Sequence, residues 1–220
     1  MVKRYDIAFQ EAAAPIAGLV TKFGGQPVWA TQPQWPISAS TGAPMRFIGQ
    51  IALDEPVFGD LAGRMAYLFM TDVGETVPAT WDPESSENAF LIQPGRYDNP
   101  IQPLTHGPTL EIWEDQPRSN LRVARPVEYA VTLTQDDDPD EFQDIAVSEE
   151  EGGNWTGGNK IGGSPAFLQG PEYPAGGPWK LVLQLDSADV PFWVNFGDAG
   201  LGYAFISTDG ETGRFLWQGA

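Results

Sequence analysis

Cysteine is missing from these 220 residues and histidine occurs once. The first absence excludes disulfides, thiolate nucleophiles, zinc ribbons and Cys-ligated iron–sulfur clusters, and the second excludes a metal cage built from several imidazoles. No cofactor and no metal is expected. Basic residues are scarce as well, 12 against 30 acidic ones, for a formal net charge of −18. Nucleic acid and anionic lipid need a basic footprint, so neither direct nucleic-acid binding nor a membrane partner is expected, and a charge-guided partner should be basic. Near the N-terminus the stretch IAFQEAAAPIAGLV is broken by Gln10, Glu11 and Pro15, which removes both a signal h-region and a spanning helix. A cytoplasmic location is the resulting expectation. Helical patterns are few: a weak one over 6–14, stopped by Pro15, and one over 85–92. Gly (25) and Pro (20) are in excess, which favours short strands joined by turns.

What the chain does have is an ordered set of internal matches. Lys22-Phe23-Gly24-Gly25-Gln26-Pro27-Val28 recurs as Lys160-Ile161-Gly162-Gly163-Ser164-Pro165-Ala166. Gln50-Ile51-Ala52-Leu53-Asp54 is followed in the second copy by Gln184-Leu185-Asp186, and Tyr67-Leu68-Phe69 by Tyr203-Ala204-Phe205. Each pair sits in an apolar run of strand-like composition. The spacings, 28 and 17 residues in one copy against 24 and 19 in the other, are comparable. Between the copies the composition shifts, with ten acidic residues and no Lys or Arg from Pro126 to Asn159. The expected organisation is an N-terminal half-repeat over 1–125, a solvated acidic connector over 126–159 and a C-terminal half-repeat over 160–220, together one compact domain. Strands are expected at 45–53, 64–70, 108–114, 127–134, 179–186, 191–196, 202–207 and 214–218, the last two joined by the loop Asp209-Gly210-Glu211-Thr212-Gly213. Asp136 to Glu141 could open a short helix, with acidic residues in its first turn. The fold class is then α+β and β-rich, two related halves packed side by side around a common core.

Several constellations invite a chemical reading. The repeated Lys-x-Gly-Gly-x-Pro could expose amides to an anion, but Gly153 to Lys160 lacks the Walker spacing and ends in Ile161 without a hydroxyl, so a turn entering a strand is the better account. Gly197-Asp198-Ala199-Gly200-Leu201-Gly202 reverses the dinucleotide fingerprint and precedes a strand; Asp198 either ties its own turn or lines a pocket. Asp136, Asp138 and Asp140 alternate like calcium ligands, yet Glu141 and Val147 stand where an EF-hand needs glycine and glutamate. That leaves a solvated charge run or a loose calcium contact. His106 has no Gly-x-Ser-x-Gly serine to activate and reads as a surface residue. Of the eight tryptophans, Trp29, Trp113, Trp193 and Trp217 lie in apolar segments and are expected in the core. Trp35, Trp155 and Trp179, beside Pro or Gly, are expected as exposed anchors.

The combination Lys22 to Trp29, Trp35-Pro36, Gly42-Ala43-Pro44-Met45-Arg46-Phe47-Ile48-Gly49-Gln50-Ile51 and Gly197 to Tyr203 resembles the YwqG-like family of bacterial proteins over about residues 22 to 218. The resemblance implies a distant relation to the programmed cell death protein 2 group, linked to ribosome biogenesis and the escort of a ribosomal protein, and an association of bacterial relatives with toxin and immunity systems. It brings no catalytic residues. Where many members carry Cys-x-x-Cys-Gly this chain has Ser38-Ala39-Ser40-Thr41-Gly42, so any zinc or redox role of that pair is absent.

The leading expectation is a non-enzymatic protein-binding module with a basic protein partner, in a chaperone-like or immunity role. The alternative is a carbohydrate-binding protein or glycosidase using loop tryptophans and a carboxylate pair. If a ligand site exists, the meeting of the halves is its expected place. The candidates there are Gln50, Gln184, Asp54, Asp186, Asp198 and Trp35; the glutamines have a second reading, as side chains bonding a neighbouring backbone in the core.

Overall fold

The computed structural model describes residues 1–72, 79–115, 121–144 and 156–220. Among them the strands are β1 (Val2–Glu11), β2 (Lys22–Gly24), β3 (Trp35–Pro36), β4 (Arg46–Ala52), β5 (Met65–Met70), β6 (Asn88–Gln93), β7 (Ile101–Gln102), β8 (Glu111–Asp115), β9 (Arg122–Pro126), β10 (Glu128–Asp138), β11 (Gln143–Asp144), β12 (Lys160–Gly162), β13 (Ala166–Phe167), β14 (Trp179–Asp186), β15 (Leu201–Ser207) and β16 (Gly213–Gln218). Among the described residues helix is confined to α1 (Glu55–Phe58) and one 3₁₀ turn, Gly59–Leu61. The α+β expectation is thereby corrected to a mostly β protein. The expected helices at 6–14 and 85–92 are strand-forming instead, and Asp136 to Glu141, expected to open a short helix, is the end of β10 and a bend. Over 6–14 the alanines favour helix, but Tyr5, Ile7 and Phe9 alternate inward at period two, and β1 pairs with β10 from Val2↔Asp138 to Glu11↔Tyr129. At 85–92 a turn leads into β6, buried along its length.

Ten strands form one sheet in the order β16-β15-β14-β12-β1-β10-β2-β4-β5-β6, each neighbour antiparallel. The sheet curls until its end strands meet: Arg96 N–H donates to Glu211 O at 2.7 Å, and Gly213 lies so close to Phe90 O that a Cβ there would come within 2.1 Å of it. The result is a nearly closed barrel. Its interior is one apolar cluster drawn from the whole chain, including Phe23, Ile51, Leu68, Phe90, Ile161, Val182, Ala204 and Phe215. The outer face is buried as well, under loops: Trp35, Phe47, Tyr67 and Phe69 pack on one side, Phe167, Leu181, Tyr203 and Phe205 on the other. Burial on both faces explains why β5 reads Met-Ala-Tyr-Leu-Phe-Met without polar alternation.

Corresponding strands on the two sides of β1 and β10 share a register. Lys22 pairs with Gln50 and Lys160 with Gln184; Gln50 pairs with Tyr67 and Gln184 with Tyr203. A bulge interrupts each, between Phe47 and Gly49 and between Leu181 and Leu183. Both Gly-Gly pairs have positive φ, 70° and 64° at Gly24 and Gly25, 72° and 73° at Gly162 and Gly163, the left-handed turn expected of them.

The segment expected as a solvated connector, 126–159, is part of the sheet in its first portion. Glu128–Asp138 is an eleven-residue strand, and its last residue, Asp138, is fully buried. The cations that balance this run come from distant positions: Arg4 reaches Asp136 and Asp138, and Lys160 reaches Asp138 at 2.7 Å. Residues 145–155, with Val147, Glu149, Glu150, Glu151 and Trp155, lie outside the described residues. Among the described residues the segment 191–196 has no strand partner, yet it keeps the alternation, with Phe192, Val194 and Phe196 buried in the barrel core.

Candidate functional site

The repeated polar residues build scaffold. Gln50 Oε1 accepts the Val28 N–H at 2.8 Å and its Nε2 donates to Val20 O at 2.9 Å. Gln184 Oε1 accepts the Ala166 N–H at 2.9 Å and its Nε2 donates to Gly158 O at 3.1 Å. Tyr67 and Tyr203 hydroxyls donate to the carbonyls of the same two residues, Val28 and Ala166, each at 2.9 Å. Gln93 and Gln218 repeat the device once more, holding the 31–34 and 168–172 loops. These amides replace the strand partners that the covering loops lack, which is how buried polar groups are satisfied. Burial pushes the Tyr67 phenol up to about 12 and the Tyr203 phenol upward too, so both stay protonated donors.

Lys22 and Lys160 act alike. Lys22 Nζ donates to Ile16 O, Gln26 O and the Glu128 carboxylate; Lys160 Nζ donates to Thr156 O, Ser164 O and Asp138. Desolvation lowers the Lys160 pKa even though Asp138 opposes it. The glycines beside them make room: a Cβ on Gly163 would lie 2.2 Å from Asp138 Oδ2.

The other candidates stand apart. β4 and β14 are five positions apart in the ten-strand sheet, on opposite sides of the barrel, and Gln50 and Gln184 bond different covering loops, so they do not share one site. Asp54 is exposed at the start of α1 without a capping bond. Asp186 accepts the Ala188 N–H in a turn, and Asp198 is exposed in its loop. Trp35, expected as an exposed anchor, is fully buried, and its indole N–H donates to Met45 O at 2.8 Å. Trp179 is half-buried and its indole donates to Pro174 O. In the Ser38 loop, Glu87 is the cross-link: it accepts Ser38 Oγ at 2.8 Å, Thr71 Oγ1 at 2.7 Å and Ser40 N–H at 2.6 Å. Desolvation would raise this carboxyl, but the hydrogen bonds from Thr71, Ser38 and Ser40 win and hold it below the usual range. Among the described residues no group of three or more His, Cys, Asp or Glu side chains could hold a metal ion.

Among the described residues several openings occur, and two of them share Thr109. The larger, about 900 Å³, lies between the 12–17 and 26–33 segments and the 105–109 loop. Pro15, Pro27 and Trp29 make it apolar, and Glu128 and His106 border it. The smaller, about 560 Å³, is bordered by Arg46, Asp72, Thr109, Glu111, Trp113 and Trp193. Thr109 borders both.

The smaller cleft collects the features that scaffold does not explain. Trp113 is 62% exposed and Trp193 57%, which corrects their expected place in the core. In each case the neighbour points inward, Ile112 on β8 and Phe192 and Val194 in the 191–196 loop, so alternation sends the indole outward. Arg46 is 7% exposed and its guanidinium lies 5.3 Å from the Trp193 ring. Its Nη1 is 3.5 Å from Asp72, while its Nε is buried without a hydrogen-bond partner. Desolvation lowers the Arg46 pKa against the opposing carboxylates of Asp72 and Glu111. Thr109 is 8% exposed and its hydroxyl is unpaired. Arg46 was visible in the sequence as the one cation in the apolar run Pro44-Met45-Arg46-Phe47-Ile48; Thr109 carried no such signal.

A family model described as "Domain of unknown function (DUF1963)" matches residues 21–210. The chain belongs to the DUF1963 family. The Arg46 cleft falls inside the matched region of this DUF1963 chain, as do the two arms of the barrel on either side of β1 and β10 except for the end strand β16. No curated protein matches it. Among the described residues no helix is long and apolar enough to cross a membrane.

Proposed function

We propose that the chain is a non-enzymatic protein-binding module whose partner is a basic protein, and that the partner docks at the Trp113–Trp193 cleft. One observation carries this reading: two large, exposed indoles stand beside Asp72 and Glu111 in a chain of formal charge −18. Aromatic anchors supply affinity at interface centres, while complementary charge speeds encounter and rejects wrong partners. The YwqG-like resemblance supplies two cytoplasmic settings, shielding of a basic ribosomal protein or blockade of a cationic toxin. The shared register and the repeated Gln, Tyr and Lys bonds support a further part of the proposal, that the two arms arose by internal duplication.

The test is a tagged pull-down from the native host at low and high salt, run with the wild type and with a Trp113→Ala, Trp193→Ala variant. A basic protein held by the wild type, released by salt and lost by the variant is the expected result, because screening weakens exposed charge pairing. Equal recovery with the variant would overturn the docking site. The carbohydrate reading rests on the same indoles with two neighbouring carboxylates, and a sugar array that labels the wild type but not the variant would favour it.

A further inference from the structure

The Arg46 cleft has a chemical bias that a flat docking surface would not need. A guanidinium taken out of water is costly unless a counter-charge and hydrogen bonds meet it. Here the nearest carboxylate, Asp72, is half exposed and 3.5 Å from Nη1, and the guanidinium Nε is buried with no hydrogen-bond partner among the described residues. Beside it the Thr109 hydroxyl is also buried and unbonded. Two unpaired donors at one cavity wall call for an acceptor. Leaving such groups unmet is costly, more so when the group is charged.

We propose that this cleft binds a carboxylate joined to a flat apolar group, with the carboxylate on the Arg46 guanidinium and Thr109 hydroxyl and the flat group against Trp113 and Trp193. Both donor atoms are closed off in the free chain, and Trp193 lies over the guanidinium. Its indole, more than half exposed, swings aside to admit the acid and then covers its apolar part. Nη1 stays with Asp72, and the Nε edge of the guanidinium, which can hold a carboxylate by two parallel bonds, takes the ligand. Desolvation lowers the Arg46 pKa against the pull of Asp72 and Glu111, which fits a charge short of partners in the free chain. A cavity of about 560 Å³ suits a ligand of this size. This inference goes beyond the protein-binding reading and stands if no basic partner is found.

The acid has two natural sources, a free small molecule or the C-terminal residue of a protein chain. The probe for the shared chemistry is N-acetylphenylalanine, titrated by calorimetry and by tryptophan fluorescence, with its primary amide and with benzoate alongside. The acid should bind at millimolar concentration or below and shift the fluorescence, and the amide should bind at least about tenfold more weakly, since it forfeits a charge-assisted pair. Arg46→Lys keeps the charge but loses the fork, and Thr109→Val keeps the shape but loses the hydroxyl. Each, confirmed folded by its melting curve, should weaken the acid several-fold and leave the weak amide unchanged. A short peptide ending in free phenylalanine then separates the sources: binding tighter than N-acetylphenylalanine assigns the site to chain termini, equal or weaker binding to free acids. No binding of N-acetylphenylalanine or benzoate at millimolar concentration, an amide as tight as the acid, or a folded Arg46→Lys with undiminished affinity would overturn the proposal.

Discussion

Replacing Gln50 by Met keeps the length of the side chain and removes both polar atoms of its amide. The Val28 N–H and the Val20 carbonyl, bonded at 2.8 and 2.9 Å, then lose their partners inside a covered loop, and the longer bond to Gly18 O at 3.3 Å goes with them. Two unmet backbone groups at about 1–2 kcal/mol each give a loss of about 3 kcal/mol. In a chain of this size that lowers Tm by about 6–12 °C. Gln184→Met removes bonds to Ala166 N–H and Gly158 O and should cost about the same. Because the two sites share no partner, the double variant should lose about 6 kcal/mol, within reach of the whole stability of a typical domain. Asp54→Ala, at an exposed residue without a cap bond, should stay within about 0.5 kcal/mol of wild type. Urea unfolding followed by tryptophan fluorescence measures all four. A Gln50→Met protein as stable as wild type would refute the argument that the repeated amides hold the loops.

The other predictions concern charge. Asp138→Asn leaves Lys160 and Arg4 facing each other without their buried counter-charge and should cost about 3–5 kcal/mol, read by the same unfolding assay. The Glu87 carboxyl has a folded pKa below its unfolded value, so its stabilisation is full above pH about 4.5 and disappears as pH falls through the depressed folded value. Glu87→Gln should therefore lower stability by about 1–3 kcal/mol at neutral pH, and the gap from wild type should shrink on acid titration; a gap constant down to low pH would contradict the role given to the hydrogen bonds from Ser38, Ser40 and Thr71.

Much of the barrel was legible before any coordinates. β4, β5, β14, β15 and β16 lie where apolar runs between turn residues placed them, and the Gly-Gly pairs have the positive φ expected of a turn. Strand β1 was lost because local alanine content and tertiary pairing disagree, and pairing with β10 decides it. The acidic run resisted for a related reason: Asp138 is stabilised by Arg4 and Lys160, distant in sequence, so composition alone reads it as solvated. The tryptophans failed most instructively. Flanking apolar residues say that one face of a segment is buried but not which face, so Trp113 and Trp193 were placed inward and Trp35 outward, the reverse of the structure. What identifies the candidate cleft, a guanidinium Nε and a threonine hydroxyl buried without partners at one opening, is a property of tertiary assembly.

The most direct test of the binding account is photo-crosslinking with a photoreactive aromatic amino acid placed at 113, at 193 and, as an exposed control elsewhere, at 81, in the native host. Trp81 is 50% exposed but lines neither opening, so exposure alone does not separate it from the other two. The account predicts one basic protein crosslinked from 113 and 193 and none from 81. The same adduct at 81 as at 113, or adducts at none of the three, would contradict it.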